Sequence, residues 1–486
     1  MTFDTLRFCI FFLIVLGVFY LTPLAKRKYI VLVASVSFYM LLDVKVCILA
    51  LFTVVFTYFG TGIMVRLQQE KKVYGRCCFV GMLTVFLGIL GIFKYLNLAS
   101  DILYQVMGLF HVSAEKKVFE LFATIGLSYY TLKAVMYVTE VYQKKIELEK
   151  DFVSLASYFL FFPQIIAGPI DRPKSLLFQL KGELGYREEL AKRSLVLIAS
   201  GYMKKLVVAN MVVGYVDSIY ADVTAYGGLT LLYGIFLYSI QIYCDFSGYS
   251  QISMGLAGLL GIEVGENFNC PYLALNIKDF WSRWHISLSS FLRDYIYIPL
   301  GGNRNGSVKK VKNTLVTFLL SGLWHGANYT FLAWGLFHGI LNCMCKKTKE
   351  KDICCKTLKD RVKLAGRIMV TFFFVTVGWV FFRAESLTQA VTLLTRVITT
   401  FGKSISVEGV LEMIMVYTGD MMSLSPFLMS GILIFVLFIR EYRYTYGRLS
   451  KDCDREKEQM HWLAFCIFAI VCFGNFGSQG FIYANF

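Results

Sequence analysis

Charge is scarce in this chain. Asp, Glu, Lys and Arg make up 17% of its 486 residues, where a soluble protein carries about a quarter. That excludes a soluble globular domain, and no low-complexity linker divides the chain. Histidine is scarcer still, at five residues, so a place where histidines gather is informative. No Walker sequence and no GxGxxG between strand and helix is present, which argues against nucleotide binding. No HExxH occurs, and neither Cys77-Cys78 nor Cys343-x-Cys345 has a second pair to complete a metal site; no metal is expected. The thirteen cysteines form no disulfide framework: Cys9, Cys47, Cys244, Cys466 and Cys472 lie in apolar runs, Cys354, Cys355 and Cys453 in basic loops. Asp4 and a lone Arg7 make a poor signal-peptide start, so the first apolar run reads as a membrane helix. Internal repeats of the kind found in many transporters are absent.

What is abundant is apolar sequence. Hydrophobic residues make up 57%, and the mean hydropathy is +0.58. The apolar runs are continuous, so the expected fold is an all-α, polytopic membrane protein and not a β-barrel. A net charge of +16 would suit nucleic acid, but the basic residues sit in short loops between apolar runs. That is the pattern of cytoplasmic loops facing an anionic leaflet; the partner is the lipid membrane, not nucleic acid. Spans are expected at 8–24, 29–42, 46–65 and 77–97, with Lys26-Arg27-Lys28 and the segment Arg66–Arg76 in the cytoplasm. The N-terminus then lies outside, as does 98–117, with an interfacial helix at 101–111 and His111 in a loop.

The segment 120–142 carries Lys133 and Glu140 within an apolar helix; intramembrane charges face a cavity or a partner, though Glu140 sits close enough to the cytoplasmic end to snorkel. The run 152–168 ends in FFPQIIAGPIDRP, where Pro163, Pro169, Pro173 and Gly168 rule out a simple span. A re-entrant or bent segment lining a cavity fits. Residues 171–194 read as an amphipathic cytoplasmic surface. Lys204-Lys205 interrupt the segment 195–218, placing part of it along the interface. In 227–262, Gln241 and Asp245 are four apart and share a helix face, which makes Asp245 a partner for another polar group; a satisfied structural hydrogen bond near a bend at Ser247-Gly248 is the plainer alternative. Spans at 366–383, 425–439 and 461–475 complete the chain, with a polar external segment at 385–422, an amphipathic piece at 388–401, a basic cytoplasmic loop at 440–459, His461 at the interface and a short external C-terminus.

The chain is organised around Asp279–Gly339, which holds His285, His325 and His338. Trp284 and Trp324 precede the first two. Both flanks of 313–345 are basic: Arg304, Lys309, Lys310 and Lys312 before it, Lys346, Lys347, Lys349 and Lys351 after it. The residues between them enter the membrane and return as a hairpin. His325 is thirteen residues past Lys312, about 20 Å of helical rise, so it lies near the apex, in reach of a pocket open to the outside. Gly326 and Asn328 suit a break there. An imidazole removed from water favours its neutral form, and a neutral imidazole can take a proton from a hydroxyl as that oxygen attacks an activated carbonyl. His285 is a second polar group or orienter; His338 is assigned to packing. The acceptor's own hydroxyl is the nucleophile, and no enzyme serine is invoked.

The blocks FNCPYLALNIKDFWSRWHISLSSFLRDYIYIPLGGNR (268–304) and SGLWHGANYTFLAWGLFHG (321–339), with 123–142 and 161–173, resemble the membrane-bound O-acyltransferases over nearly the whole chain. The nearest branch is similar to the membrane subunit that O-acetylates bacterial alginate; a related branch transfers D-alanine to teichoic acid. The resemblance implies one membrane-embedded domain over 1–486, with a catalytic core at about 120–345. It implies a ring of about 11–13 tilted spanning and re-entrant helices around a thin central funnel. It matches His325 to the catalytic histidine and His285 to the second family histidine; Asp245, Gln241, Trp324, Asn328 and Trp284 are cavity candidates. It implies transfer of an acyl group, acetyl in preference, from a cytosolic donor to hydroxyls of a cell-surface or exported polysaccharide at the cell membrane. Acetyl-CoA is the expected donor, as a co-substrate and not a bound cofactor, and an extracellular esterase-like protein is the expected partner. The alternative is D-alanyl transfer from an acyl carrier protein; a transporter or flippase without acyl chemistry is a third reading. Tyr329 stands where the family often has tryptophan, and Lys133 and Glu140 also depart from its pattern.

Overall fold

The computed structural model describes residues 2–111, 118–119, 126–166, 168–304, 306–346, 357–418, 425–446 and 452–476. Among them the chain is helical, with no strand. Among the described residues six helices are long and apolar enough to cross a membrane: Val44–Glu70, Lys72–Leu109, Glu188–Ala221, Gly228–Leu259, Leu358–Arg383 and Ser425–Tyr446. The protein is therefore all-α and polytopic. Its contacts divide into two compact units, residues 1–195 with 253–265 and 483–486, and residues 196–252 with 266–482.

The first unit begins with α1 (Leu6–Leu21), α2 (Arg27–Leu42), α3 (Val44–Glu70), α4 (Lys72–Leu109) and α5 (Leu127–Tyr142). Asp43 ends α2 and caps α3, accepting from the Lys45 and Val46 amides. α4 is one unbroken helix, so the span expected at 77–97 and the interfacial piece expected at 101–111 are continuous: nothing in 98–109 stops a helix. His111 follows it with φ +56°. Residues 112–117 and the expected start of the next span at 120 lie outside the described residues. α6 (Phe152–Leu160) runs for only nine residues before the prolines break it, as the sequence requires; α7 (Pro173–Lys181) resumes and α8 (Glu188–Tyr202) leaves the unit.

Lys133 shows how the break is held. Its ammonium donates to the Tyr158 carbonyl (2.8 Å) and to Gln164 Oε1 (2.8 Å). The Gln164 amide donates onward to Asp171 Oδ2 at 2.6 Å, and Asp171 Oδ1 accepts from the Gly265 amide. The charge at position 133 thus closes a buried polar chain across the non-helical segment. Glu140 is buried too, at 6% exposure, and does not snorkel as expected.

The second unit holds α9 (Asn210–Ala221), α10 (Gly228–Leu259), α11 (Ile277–Arg283), α12 (Ile286–Leu292), α13 (Gly306–His325), α14 (Tyr329–Met344), α15 (Leu358–Arg383), α16 (Leu387–Ser404), α17 (Val407–Thr418), α18 (Ser425–Tyr446) and α19 (Asp452–Phe473). α10 passes Ser247-Gly248 without a bend. The basic loop expected at 440–459 is shorter, since Arg440 and Arg443 continue α18. Arg448, Lys451, the Cys453 side chain, Lys347, Lys349, Lys351, Cys354, Cys355, residues 419–424 and the expected external C-terminus lie outside the described residues.

Lys204 and Lys205 require a correction. They do not mark an interfacial stretch; both are 3% exposed, within a π-helical segment, Met203–Ala209, that joins α8 to α9. Lys205 pairs with Asp245 at 2.5 Å, and Lys204 with Glu441 at 3.3 Å; Tyr243 also donates to Glu441 at 2.6 Å. Widening one helical turn re-aims consecutive side chains, and here it lets two neighbouring cations reach carboxylates on α10 and α18. Removing one member of such a pair strands a buried charge, at a cost of about 3–5 kcal/mol. Lys205→Met is expected to lower the thermal stability of the detergent-solubilised protein on that scale, and adding Asp245→Leu to recover much of the loss. A double variant no more stable than the single one would mean that Lys205 and Asp245 are not coupled.

Candidate active site

α13 and α14 form the hairpin expected from the basic flanks. α13 ends at His325; Asn328 caps α14, its side chain accepting from the Thr330 amide at 3.1 Å. Close packing of the two arms depends on missing side chains: a Cβ at Gly322 would lie 2.2 Å from the Phe331 carbonyl oxygen, and one at Gly335 2.4 Å from that of Phe318. His325 is 2% exposed. Its ring packs edge-on against Trp324 (4.8 Å between centroids), Trp334 (5.1 Å) and Phe382 (5.1 Å).

His285 reaches the same place from the link between α11 and α12. Its ring is 6.0 Å from that of Trp324 and 4.8 Å from Phe246. The Trp324 indole thus contacts both histidines. The His285 backbone lies in the left-handed region, φ +43°, which an L-residue enters at a cost of about 1–3 kcal/mol. Asn267 holds it there. The Asn267 carbonyl accepts from the Ile286 amide at 3.0 Å, and its side-chain Oδ1 accepts from the Ser287 amide (3.2 Å) and the Ser287 hydroxyl (2.9 Å).

The same Oδ1 lies 3.1 Å from His285 Nδ1. Because a backbone N–H points at Oδ1, that atom is the acceptor, and Nδ1 must carry the proton. Nε2 of His285 is left with its lone pair. Asn267 therefore sets both orientation and tautomer of the second histidine.

The other candidates fall into different places. Trp284, 1% exposed, is buried under Phe268 and Trp379, with centroids 5.0 and 4.8 Å away. Asp245 is engaged by Lys205, and its neighbour Phe246 is the residue that touches His285. Gln241 is buried, and its Oε1 has no hydrogen-bond partner among the described residues. Asn328 also donates from Nδ2 to the Glu385 carbonyl at 2.9 Å. His338 is boxed by Trp281 and Trp334, each 5.2 Å away, consistent with packing.

A cavity of 440 Å³ lies beside the hairpin. Lys278, Arg293 and Lys310 line it, with Ser282, Ser289, Ser290, Thr314, Thr317 and Ser321, and with Trp281. Along α13 it extends from Lys310 to Ser321, about 16 Å of helical rise, and stops one turn short of His325.

Asn267, Trp334 and Phe382 were not singled out from sequence. Asn267 stands one residue before the recognisable 268–304 block, and the two aromatics are indistinguishable by pattern from lipid-facing ones. Asn267→Ala is expected to cost about 1–3 kcal/mol of stability and to shift the ring signals of His285 in a histidine-labelled NMR spectrum. Unchanged His285 signals would count against the anchoring role.

A family model, MBOAT, the membrane-bound O-acyltransferase family, matches residues 35–383. A probable alginate O-acetylase of Pseudomonas aeruginosa is 34% identical over 397 residues, covering 80% of this chain and 73% of that protein. A peptidoglycan O-acetyltransferase of Helicobacter pylori is 32% identical over 401 residues, covering 76% and 73%. A teichoic acid D-alanyltransferase of Bacillus subtilis is 29% identical over 279 residues, covering 54% and 70%.

Proposed function

Since the chain belongs to the membrane-bound O-acyltransferase family, we propose that it moves an acetyl group from a cytosolic donor to hydroxyls of a cell-surface or exported polysaccharide. It is a membrane acyltransferase, and both relatives with more than 30% identity named above are O-acetyl-transferring by name. The observation that carries the reading is the position of His325 at the end of α13, one turn beyond Ser321, the last residue of that helix to line a cavity that Lys278, Arg293 and Lys310 also line.

In the transfer step the acceptor oxygen forms a bond to the acyl carbonyl carbon while the His325 imidazole takes the hydroxyl proton. The carbon–sulfur bond of the donor thioester then breaks, and the thiolate leaves with that proton. His285, with Nε2 unprotonated, is the second polar group beside Trp324, and the low-water surroundings strengthen each polar contact made there. Of the remaining candidates, Trp324 packs near both imidazoles, and Trp284 packs on Phe246, which packs on His285.

Orientation and donor complete the proposal. The basic starts of α13 and α15 belong on the cytoplasmic side, with the N-terminus and the hairpin apex towards the outside of the cell membrane. Lys310 then faces the cytosol beside Arg293, which is paired with Asp294 at 2.7 Å, and Lys278, which donates to the Cys345 carbonyl; Lys310 suits the phosphates of acetyl-CoA. An extracellular esterase-like protein receives or delivers the acetyl group. The single catalytic domain has its core at about 120–345. A carrier-protein donor of D-alanine, by analogy with the teichoic acid branch, is the second reading, because a carrier arm presents the same phosphate and thioester.

Purified protein in liposomes with radiolabelled acetyl-CoA tests the reading. His325→Ala is expected to lower turnover by at least about 100-fold; unchanged turnover would sink His325 as the base. Turnover with a D-alanyl carrier and none with acetyl-CoA would favour the second reading. Lys310→Glu is expected to raise the donor KM several-fold, an effect that weakens at high salt as screening grows; a donor KM indifferent to the reversal would remove the basic mouth from donor binding.

A further inference from the structure

Two helices long and apolar enough to cross the membrane, α3 and α4, are joined by the single residue Lys71. Their junction therefore lies where the membrane meets water. The end of α5 comes to the same place. Gln68, near the end of α3, donates from Nε2 to the Tyr142 carbonyl at 3.2 Å. Phe79 of α4 stacks on the Tyr142 ring, with centroids 4.3 Å apart. The first turns of α4 can lie this close to α3 because Gly75 has no side chain: a Cβ there would lie 2.6 Å from the Gln68 Cβ.

Between the ends of α3 and α5 opens a cavity of 360 Å³, within the range of about 300–1,000 Å³ that small ligands occupy. Lys144, Lys145 and Glu147 line it with Gln68 and Gln69, and its remaining lining residues are aliphatic. Among the described residues neither lysine side chain has an ion pair or a hydrogen bond. Lys144 is also held in the left-handed region, φ +57°. Its amide donates to the Val141 carbonyl at 2.9 Å, and the Lys145 amide to the Glu140 carbonyl at 2.8 Å. This is the helix-ending turn in which glycine is the usual residue at the position of Lys144, because a Cβ is disfavoured there. Lys145 already offers a cation to the negative end of α5, so the turn by itself does not call for a second one at the strained position.

From this arrangement we infer that the cavity holds the head group of an anionic glycerophospholipid. Lys144 and Lys145 take the phosphate oxygens, the two glutamine amides take the glycerol oxygens, and the aliphatic wall receives the start of the acyl chains. Basic pockets between helices at a membrane surface suit anionic head groups, and Arg66, Lys71, Lys72 and Arg76 of the same junction draw such lipids towards it. A soluble phosphate would use the lysines alone, whereas a lipid uses the lysines, the aliphatic wall and the position at the membrane surface. Glu147 repels the phosphate and so limits how tightly the lipid is held. A bound head group ties the turn after α5 to the end of α3. The inference is independent of the acyl transfer proposed above.

The full chain in a neutral maltoside detergent is titrated with dihexanoyl phosphatidylglycerol, and the dissociation constant is read from the rise in unfolding temperature. Dihexanoyl phosphatidylcholine is expected to bind at least about tenfold more weakly. Lys144→Gly and Lys145→Ala are each expected to weaken phosphatidylglycerol binding about fivefold, while Lys150→Ala, at an exposed lysine outside the cavity, leaves it unchanged. Without lipid, Lys144→Gly is expected to unfold at a higher temperature than the parent, because it relieves the turn; affinity lost together with stability gained separates ligand binding from a structural role. Glu147→Gln is expected to tighten binding. No binding by the parent, equal binding of the two lipids, or an affinity indifferent to Lys144→Gly, Lys145→Ala and Glu147→Gln would overturn the site. Inorganic phosphate or glycerophosphoglycerol binding as tightly as the lipid would overturn the lipid assignment in favour of a soluble anion.

Discussion

Burying polar groups in a membrane without leaving them unanswered is the constraint from which the rest of this structure follows. Hydrocarbon offers no hydrogen bonds, so each intramembrane donor, acceptor or charge must find a partner within the protein. The chain meets this demand in three places with different devices. Lys133, Gln164 and Asp171 form a chain that stands in for the backbone bonds lost at the proline break. A π-helical turn directs Lys204 and Lys205 to separate carboxylates. A single side-chain oxygen on Asn267 accepts from the Ser287 amide and hydroxyl and from the His285 ring.

The last device is the one nearest to chemistry. Rigid placement of a reacting group is a large part of what a catalyst does, and His285 has no freedom of tautomer while Asn267 is in place. His325 is packed among aromatic edges, those of Trp324, Trp334 and Phe382. Packing of that kind fixes a ring's position.

The sequence made the membrane class, the hairpin and the central histidines legible, because each has a local signature: continuous apolar runs, paired basic flanks, and the RWH and WHG blocks. What it could not reveal were contacts between residues far apart in the chain. Asn267 lies eighteen residues from His285 in a loop with no periodic signal, and Lys205 looked like an interface marker because adjacent lysines usually are. Trp334, Trp379 and Phe382 lie in helical stretches that are apolar on every side, so no inward face is legible there. The same uniformity concealed the length of α4, since no polar residue announces where a span stops and its extension begins.

The chain has six tryptophans, and five of them, Trp281, Trp284, Trp324, Trp334 and Trp379, belong to the aromatic wall around the histidines; only Trp462 lies apart, beneath Arg440. Excited at the indole band, the protein therefore emits mainly from the surroundings of these histidines. With Trp324 near both imidazoles, and a charged imidazole a stronger quencher than a neutral one, a change of charge on either ring would alter the intrinsic emission with no added label.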